Sequence, residues 1–179
     1  MPAQTASEAR THATFDALLW ALAHPGRIRQ LEDMDNAFSA IAQCLLDLET
    51  SAHSTDARLE AALRAVGAKP AALENAEYIF APMLEDSALL HRVRRGSPLS
   101  PETAATLVVG ARLEGAERRV RLSGPGIDGA LEVGVGGLPV DFWRVRAEVI
   151  AFPVGWDAFL VDGSRVIGLP RTTRALEVI

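Results

Sequence analysis

The spacing of apolar residues changes near residue 100, and this change narrows the folds open to the chain more than any other feature. Before it, apolar side chains recur every three or four residues, the period of one helix face. After it, short β-like runs alternate with glycine-containing turns. Both periods in one chain of 179 residues predict an α/β or α+β domain with a mixed β-sheet, and of the two we expect α/β. The length fits a single domain over 1–179, mainly helical over 14–100 and mainly sheet over 101–179.

Residues 1–13 are small and polar and read as a loose lead-in. A first helix is expected from Thr14, with Phe15, Leu18, Leu19 and Leu22 facing inward. His24-Pro25-Gly26 stops it, because Pro25 lacks an amide hydrogen and Gly26 permits a reversal. A second helix, from Asn36, turns Phe38, Ile41, Leu45 and Leu48 inward, with Asp35 or Asn36 as its cap. A third covers Asp56 to Val66, with Leu59, Leu63 and Val66 on one face and Gly67 past its end. Ala76–Ala81 reads as a buried strand. A fourth helix is expected from Asp86 to Arg95, its basic last turn set against the helix dipole. Ala104–Leu113 then reads as a strand that turns at Glu114-Gly115 and returns as Arg119–Leu122. Ala130–Val135 is a further strand, and 138–149 a helix with Phe142, Val145 and Val149 on one side. Asp157–Val161 and Arg165–Leu169 flank Asp162-Gly163-Ser164, a hairpin signal.

Composition removes several classes of function. With 49% hydrophobic and 23% charged residues the chain has enough apolar material for a core. A net charge of −5 argues against a nucleic-acid binder, which needs a basic face to displace counterions. A single cysteine, Cys44, excludes an internal disulfide and a cysteine-rich metal site. No apolar run approaches the ~18 residues of a membrane span. Glu8, Arg10 and Asp16 interrupt the region where a signal peptide keeps its apolar core. The expectation is a cytoplasmic protein with no membrane and no nucleic-acid partner.

Gly124-Pro125-Gly126-Ile127-Asp128-Gly129 spells a dinucleotide fingerprint, with Glu148 about 20 residues on. That chemistry needs a helix N-terminus at the last glycine. Here Ala130-Leu131-Glu132-Val133 follows, which reads as strand, and Pro125 removes one amide from the cradle. A strand-to-strand turn is the better reading. Lys69, the lone lysine, follows Gly67-Ala68 and precedes Pro70, in neither a phosphate loop nor a Schiff-base setting. His12, His24, His53 and His91 are scattered, so no local metal site forms. Cys44 reads as a small buried hydrophobe. Asp47 and Glu49 point apart on a helix and suit capping or solvation. The ending Leu169-Pro170-Arg171-Thr172-Thr173 is more suggestive. Arg171 offers a planar fork of donors, with two hydroxyls beside it. Arg171, Thr172 and Thr173, with amides of Gly124 and Gly126, form a candidate anion site. The alternative is an Arg–carboxylate pair that anchors this segment. Trp143 and Trp156 are candidates for partner contacts, with the core as their alternative place.

The ordered set of short stretches resembles a known family. It comprises Phe15-x-x-Leu18-Leu19-x-Ala21-x-x-x-Pro25-Gly26, then Leu45-Leu46-Asp47-x-Glu49-Thr50. Ala105-Thr106-Leu107 and Leu122-Ser123-Gly124-Pro125-Gly126-Ile127 follow. Phe152-Pro153-x-Gly155-x-Asp157 and Gly168-Leu169-Pro170-Arg171-Thr172-Thr173 complete it. Across 14–175 the chain is similar to the PhnH family, the H subunit of the bacterial carbon–phosphorus lyase system. It departs at Trp156, where the family more often has a small aliphatic residue.

The resemblance implies an accessory subunit in phosphonate catabolism rather than a free-standing enzyme. Such a subunit helps its siblings replace the adenine of ATP by an alkylphosphonate, giving a ribose 1-alkylphosphonate 5-triphosphate. A radical iron–sulfur subunit later cuts that product. The implied fold is a three-layer α/β/α arrangement like a reduced pyridoxal-phosphate-dependent transferase, without the cofactor. The implied partners are a second copy in a homodimer and the other core subunits. The residues themselves agree: Lys69 gives no convincing pyridoxal anchor, and one cysteine cannot hold an iron–sulfur cluster. Two other readings stay open. One is an independent phosphonate or nucleotide-phosphate binder using the Arg-Thr-Thr segment. The other is a plain structural homodimer.

Overall fold

The structure, a computed structural model, describes residues 5–32, 36–114 and 118–178. Its elements are α1 (Ala6–Ala23), β1 (Arg29–Gln30), α2 (Ala37–Leu45), β2 (Ser51–Ser54), α3 (Ala57–Ala65), β3 (Lys69–Pro70) and β4 (Tyr78–Ala81). They continue with β5 (Thr106–Gly110), β6 (Arg119–Ser123), β7 (Leu131–Gly134), α4 (Phe142–Val149), β8 (Asp157–Asp162), β9 (Arg165–Leu169) and β10 (Arg174–Val178). Short 3-10 turns cover Ser87–His91 and Pro101–Thr103.

A mixed seven-stranded sheet runs in the order β1-β9-β8-β5-β4-β2-β3. It is parallel from β3 to β8 and antiparallel between β8 and β9 and between β9 and β1. The expected α/β class with a mixed sheet is therefore observed. Successive residues of a strand point to opposite faces, and here both faces are buried. Phe80, Val108, Phe159 and Val161 pack with Leu18, Ile41 and Leu63 from α1, α2 and α3. Ile79, Leu107, Val109 and Leu160 pack on the other side with Phe142, Trp143 and Val145 of α4. Val120 and Leu122 join that second core from a smaller antiparallel sheet, β10-β6-β7.

Several local expectations hold for the physical reasons given. Phe142, Val145 and Val149 share the buried face of α4. Asp56 caps α3, accepting from the Leu59 amide at 2.8 Å, and Gly67 takes φ +103° past its end. Asn36 caps α2, whereas Asp35 lies outside the described residues. β8 and β9 form the predicted hairpin, with Gly163 at φ +58° in its turn.

Other expectations are corrected. The described part of the 1–13 segment is ordered, because Thr5 and Glu8 form a capping box that starts α1 at Ala6. The buried stripe of α1 is Thr14, Ala17, Leu18 and Ala21, while Phe15 and Leu19 are 49% and 57% exposed. Small residues are needed there because the helix lies directly on β9: a Cβ at Gly168 would sit 2.5 Å from the Ala21 backbone. The second helix ends at Leu45. The Asp47 carboxylate then accepts from the Glu49 and Thr50 amides at 2.8 and 2.9 Å, bending the chain into a turn that leaves Leu48 76% exposed. The fourth helix shrinks to the 3-10 turn at Ser87–His91. Beyond it the Arg94 and Arg95 carbonyls accept from Ala105 and Gly155, so they are taken by neighbouring segments. β6 does not return beside β5, because β4 and β8 already occupy both edges of β5. Gly115 of the expected turn lies outside the described residues.

Candidate functional site

The candidate anion segment is a tight loop between β9 and β10. The Thr173 amide donates to the Pro170 carbonyl at 2.8 Å, closing the loop on itself. Arg171 inside it reaches Asp157, the first residue of β8. Its backbone amide donates to Asp157 Oδ1 at 2.7 Å, and its Nη2 donates to Oδ2 at 2.6 Å. Nε donates to the same carboxylate at 3.2 and 3.3 Å, and Nη1 to the Pro101 carbonyl at 2.7 Å. The two side chains are only 15% and 24% exposed. Arg171 thus anchors its segment through a carboxylate and a carbonyl. A guanidinium carries five N–H groups. These contacts leave one hydrogen on each terminal nitrogen.

Sequence reasoning missed the second cation of this corner. Arg146 of α4 is buried, and it holds the loop at both ends. Its Nη1 donates to the Thr173 carbonyl at 2.8 Å, and its Nη2 to the Pro170 carbonyl at 3.0 Å. The guanidinium lies over the Trp156 ring at 5.8 Å. Burial lowers its pKa to about 10, against the opposing charge of Asp157. Arg146 Nε, Trp156 Nε1 and Thr173 Oγ1 are buried and find no hydrogen-bond partner among the described residues. A signal existed: Arg146 falls four residues after Phe142 and three after Trp143, on the helix face that is otherwise apolar.

The structure brings most of the sequence-selected residues together. Gly124 takes φ +134°, and a Cβ there would lie 2.7 Å from the Thr172 carbonyl oxygen, so this glycine lets the two loops touch. Gly126 belongs to the same β6–β7 turn but packs on the end of α1, 2.5 Å from the Ala23 carbonyl by the same measure. The glycine-rich stretch connects two strands, as read from its flanks. Trp156 lies under the Arg146 guanidinium that holds the loop. Trp143 packs edge-on against Phe142 at 5.0 Å, and both tryptophans are core side chains with no surface to offer a partner.

The chemistry of this corner is electrostatic positioning. Arg146 and Arg171 face one carboxylate, Asp157, so the cluster carries a net charge of +1. Among the described residues no group of three His, Cys, Asp or Glu side chains could hold a metal ion. No helix of the described residues is long and apolar enough to cross a membrane. Lys69 is exposed in β3, with its Nζ 3.3 Å from the Glu49 carbonyl. Burial pushes the Cys44 thiol up to about 11, which leaves it a poor nucleophile. A groove of about 170 Å³ lies next to the corner, sharing Asp157 with it and walled by Phe15, Leu19, Leu22 and Tyr78.

Residues 2–176 match the family model described as bacterial phosphonate metabolism protein (PhnH). The chain belongs to the PhnH family. It is also 36% identical over 170 residues to "Putative C-P lyase subunit protein HtxG" of Stutzerimonas stutzeri, spanning 92% of this chain and 85% of that protein. The PhnH match includes the whole large sheet, the loop with Arg171, the buried Arg146 and the small sheet up to residue 176 in β10. Its place in phosphonate metabolism follows from the family.

Proposed function

We propose that this PhnH-family chain is an accessory, non-catalytic subunit of a carbon–phosphorus lyase complex. It supports formation of ribose 1-alkylphosphonate 5-triphosphate from ATP and alkylphosphonate, and works through its protein surfaces. The observation that carries this reading is the likeness, over 92% of the chain, to a protein named as a C-P lyase subunit. Two structural features support it. Arg146 and Arg171 hold backbone carbonyls and a carboxylate of their own chain. Two exposed side chains of α1, Phe15 and Leu19, are apolar and border a groove. In this reading the free protein is a cytoplasmic homodimer without a resident cofactor, and it joins the other core subunits. Its architecture is a reduced form of the pyridoxal-phosphate transferase fold; what supports this is a largely parallel seven-stranded sheet with both faces covered. Co-expression with the sibling subunits followed by size-exclusion chromatography tests it. Comigration at micromolar concentration is expected, and separate elution overturns the subunit role.

A second reading, an independent binder of phosphonate or nucleotide phosphate, is favoured by one detail. Arg171 keeps one N–H on each terminal nitrogen beside the half-buried Thr172. Calorimetry with ATP and with methylphosphonate decides. Heat that disappears in Arg171→Ala supports the binder, and no heat with either ligand removes it.

A further inference from the structure

We propose that the free edge of β10 docks an extended, acidic segment of a different protein chain; the inference deepens the subunit reading and rests on it. β10 pairs with β6 along one edge only, since the small sheet runs β10-β6-β7. Among the described residues, 174–178 make no backbone hydrogen bond outside that ladder. An edge strand of this kind presents unpaired N–H and C=O groups at alternate residues, and proteins usually blunt such edges. The edges of the large sheet are blunted: β1 and β3 have two residues each, and β3 ends in Pro70. β10 has five residues and no proline.

The side chains beside this edge state what it would accept. Register places Arg174, Leu176 and Val178 on the outer face with Ser123, Arg121 and Arg119 of β6, and Glu132 and Gly134 of β7 behind them. The inner face carries Ala175, Val120 and Leu122 into the core. On the outer face Leu176 is 67% exposed and Val178 43% exposed. Arg119 and Arg121 share one carboxylate, Glu132, at 3.5 and 3.9 Å. Three arginines against one glutamate leave this face at +2, on a chain of net charge −5.

A second copy is a poor occupant. Pairing β10 with β10 of another copy would make one continuous six-stranded sheet whose outer face carries twice that charge and brings no new carboxylate to its arginines. An acidic strand meets the same edge with complementary charge. Its backbone completes the ladder, apolar side chains cover Leu176 and Val178, and carboxylates meet Arg174 and Arg121.

Amide hydrogen exchange on the intact protein, alone and bound to the sibling subunits, tests this. Slowed exchange within 174–178 on complex formation is expected, with no slowing when the protein alone is concentrated. The double variant Arg174→Glu, Leu176→Glu is expected to keep its thermal midpoint, since both side chains are exposed, and to bind the siblings at least tenfold more weakly. A complex that forms with 174–178 exchanging as before overturns this inference and leaves the subunit reading standing. Undiminished binding by a folded double variant does the same. Slowing in the concentrated protein alone assigns the edge to a second copy and overturns the proposed occupant. Failure to form any complex overturns both readings.

Discussion

Arg146 offers a direct test of what holds the candidate corner together. Its guanidinium is buried, and its pKa of about 10 lies below the ordinary 12.5 because desolvation disfavours the charged form. The group stays charged at neutral pH, but carrying that charge costs more in the folded state than in the unfolded chain. This cost is fully present at neutral pH and is relieved only as pH rises through about 10. At 1.36 kcal/mol per unit, the shift amounts to roughly 3 kcal/mol. Two charge-assisted bonds to the Pro170 and Thr173 carbonyls, at roughly 1.5–3 kcal/mol each, offset it. Arg146→Met removes both contributions and keeps most of the side-chain volume. Pro170 still accepts from the Thr173 amide, so the Thr173 carbonyl is the group left without its bond. An unsatisfied buried acceptor costs about 1–3 kcal/mol. Arg146→Ala adds a cavity and is expected to cost about 3–5 kcal/mol. For a chain of this size each kcal/mol moves the midpoint by roughly 2–4 °C. Scanning calorimetry at pH 7 should thus place Met roughly 2–12 °C below wild type, with Ala lower still. Equal losses for the two variants, or an unchanged midpoint for Ala, would refute the reasoning.

Three further outcomes are expected. Gly168→Ala forces a Cβ to 2.5 Å from the Ala21 backbone and should cost about 1–3 kcal/mol in urea denaturation, with an unshifted transition counting against close α1–β9 packing. Cys44, its thiol pushed up to about 11 by burial, should react with a disulfide reagent at pH 8 about a hundredfold more slowly than a thiol of pKa 9.0, and rapid stoichiometric labelling would contradict its placement. The Glu49 and Thr50 amides hold the Asp47 carboxyl below its ordinary 3.8, so its stabilisation is present above that value and fades as pH falls through the lowered one. Asp47→Ala should accordingly flatten the acid limb of the stability–pH curve below pH ~4, and an identical limb would show that the turn contributes nothing.

Legibility in the sequence followed the strength of local signals. The α4 face of Phe142, Val145 and Val149 and the hairpin around Gly163 depend on neighbours a few residues away, and periodicity reported them. β2 is Ser-Ala-His-Ser, a strand only because β3 and β4 flank it, and no local pattern marks that. The face of α1 was misjudged by the rule that large apolar residues turn inward. Contact with Gly168 requires small ones and sends Phe15 and Leu19 outward. In the candidate corner, Arg171 and the two threonines were visible as a donor cluster. Their clamp was not, because Arg146 lies 24–27 residues away and meets the loop only through the fold. Thr5 and Glu8 have the spacing of a capping box, a local signal that the reading of 1–13 as a loose polar lead-in passed over.

The most direct measurement is product formation from ATP and methylphosphonate by the purified chain, by its sibling subunits, and by the two together. The account predicts no turnover by the chain alone and a higher yield once it is added to the siblings. Steady conversion by the isolated chain, abolished by a single side-chain replacement such as Arg171→Ala, would contradict it.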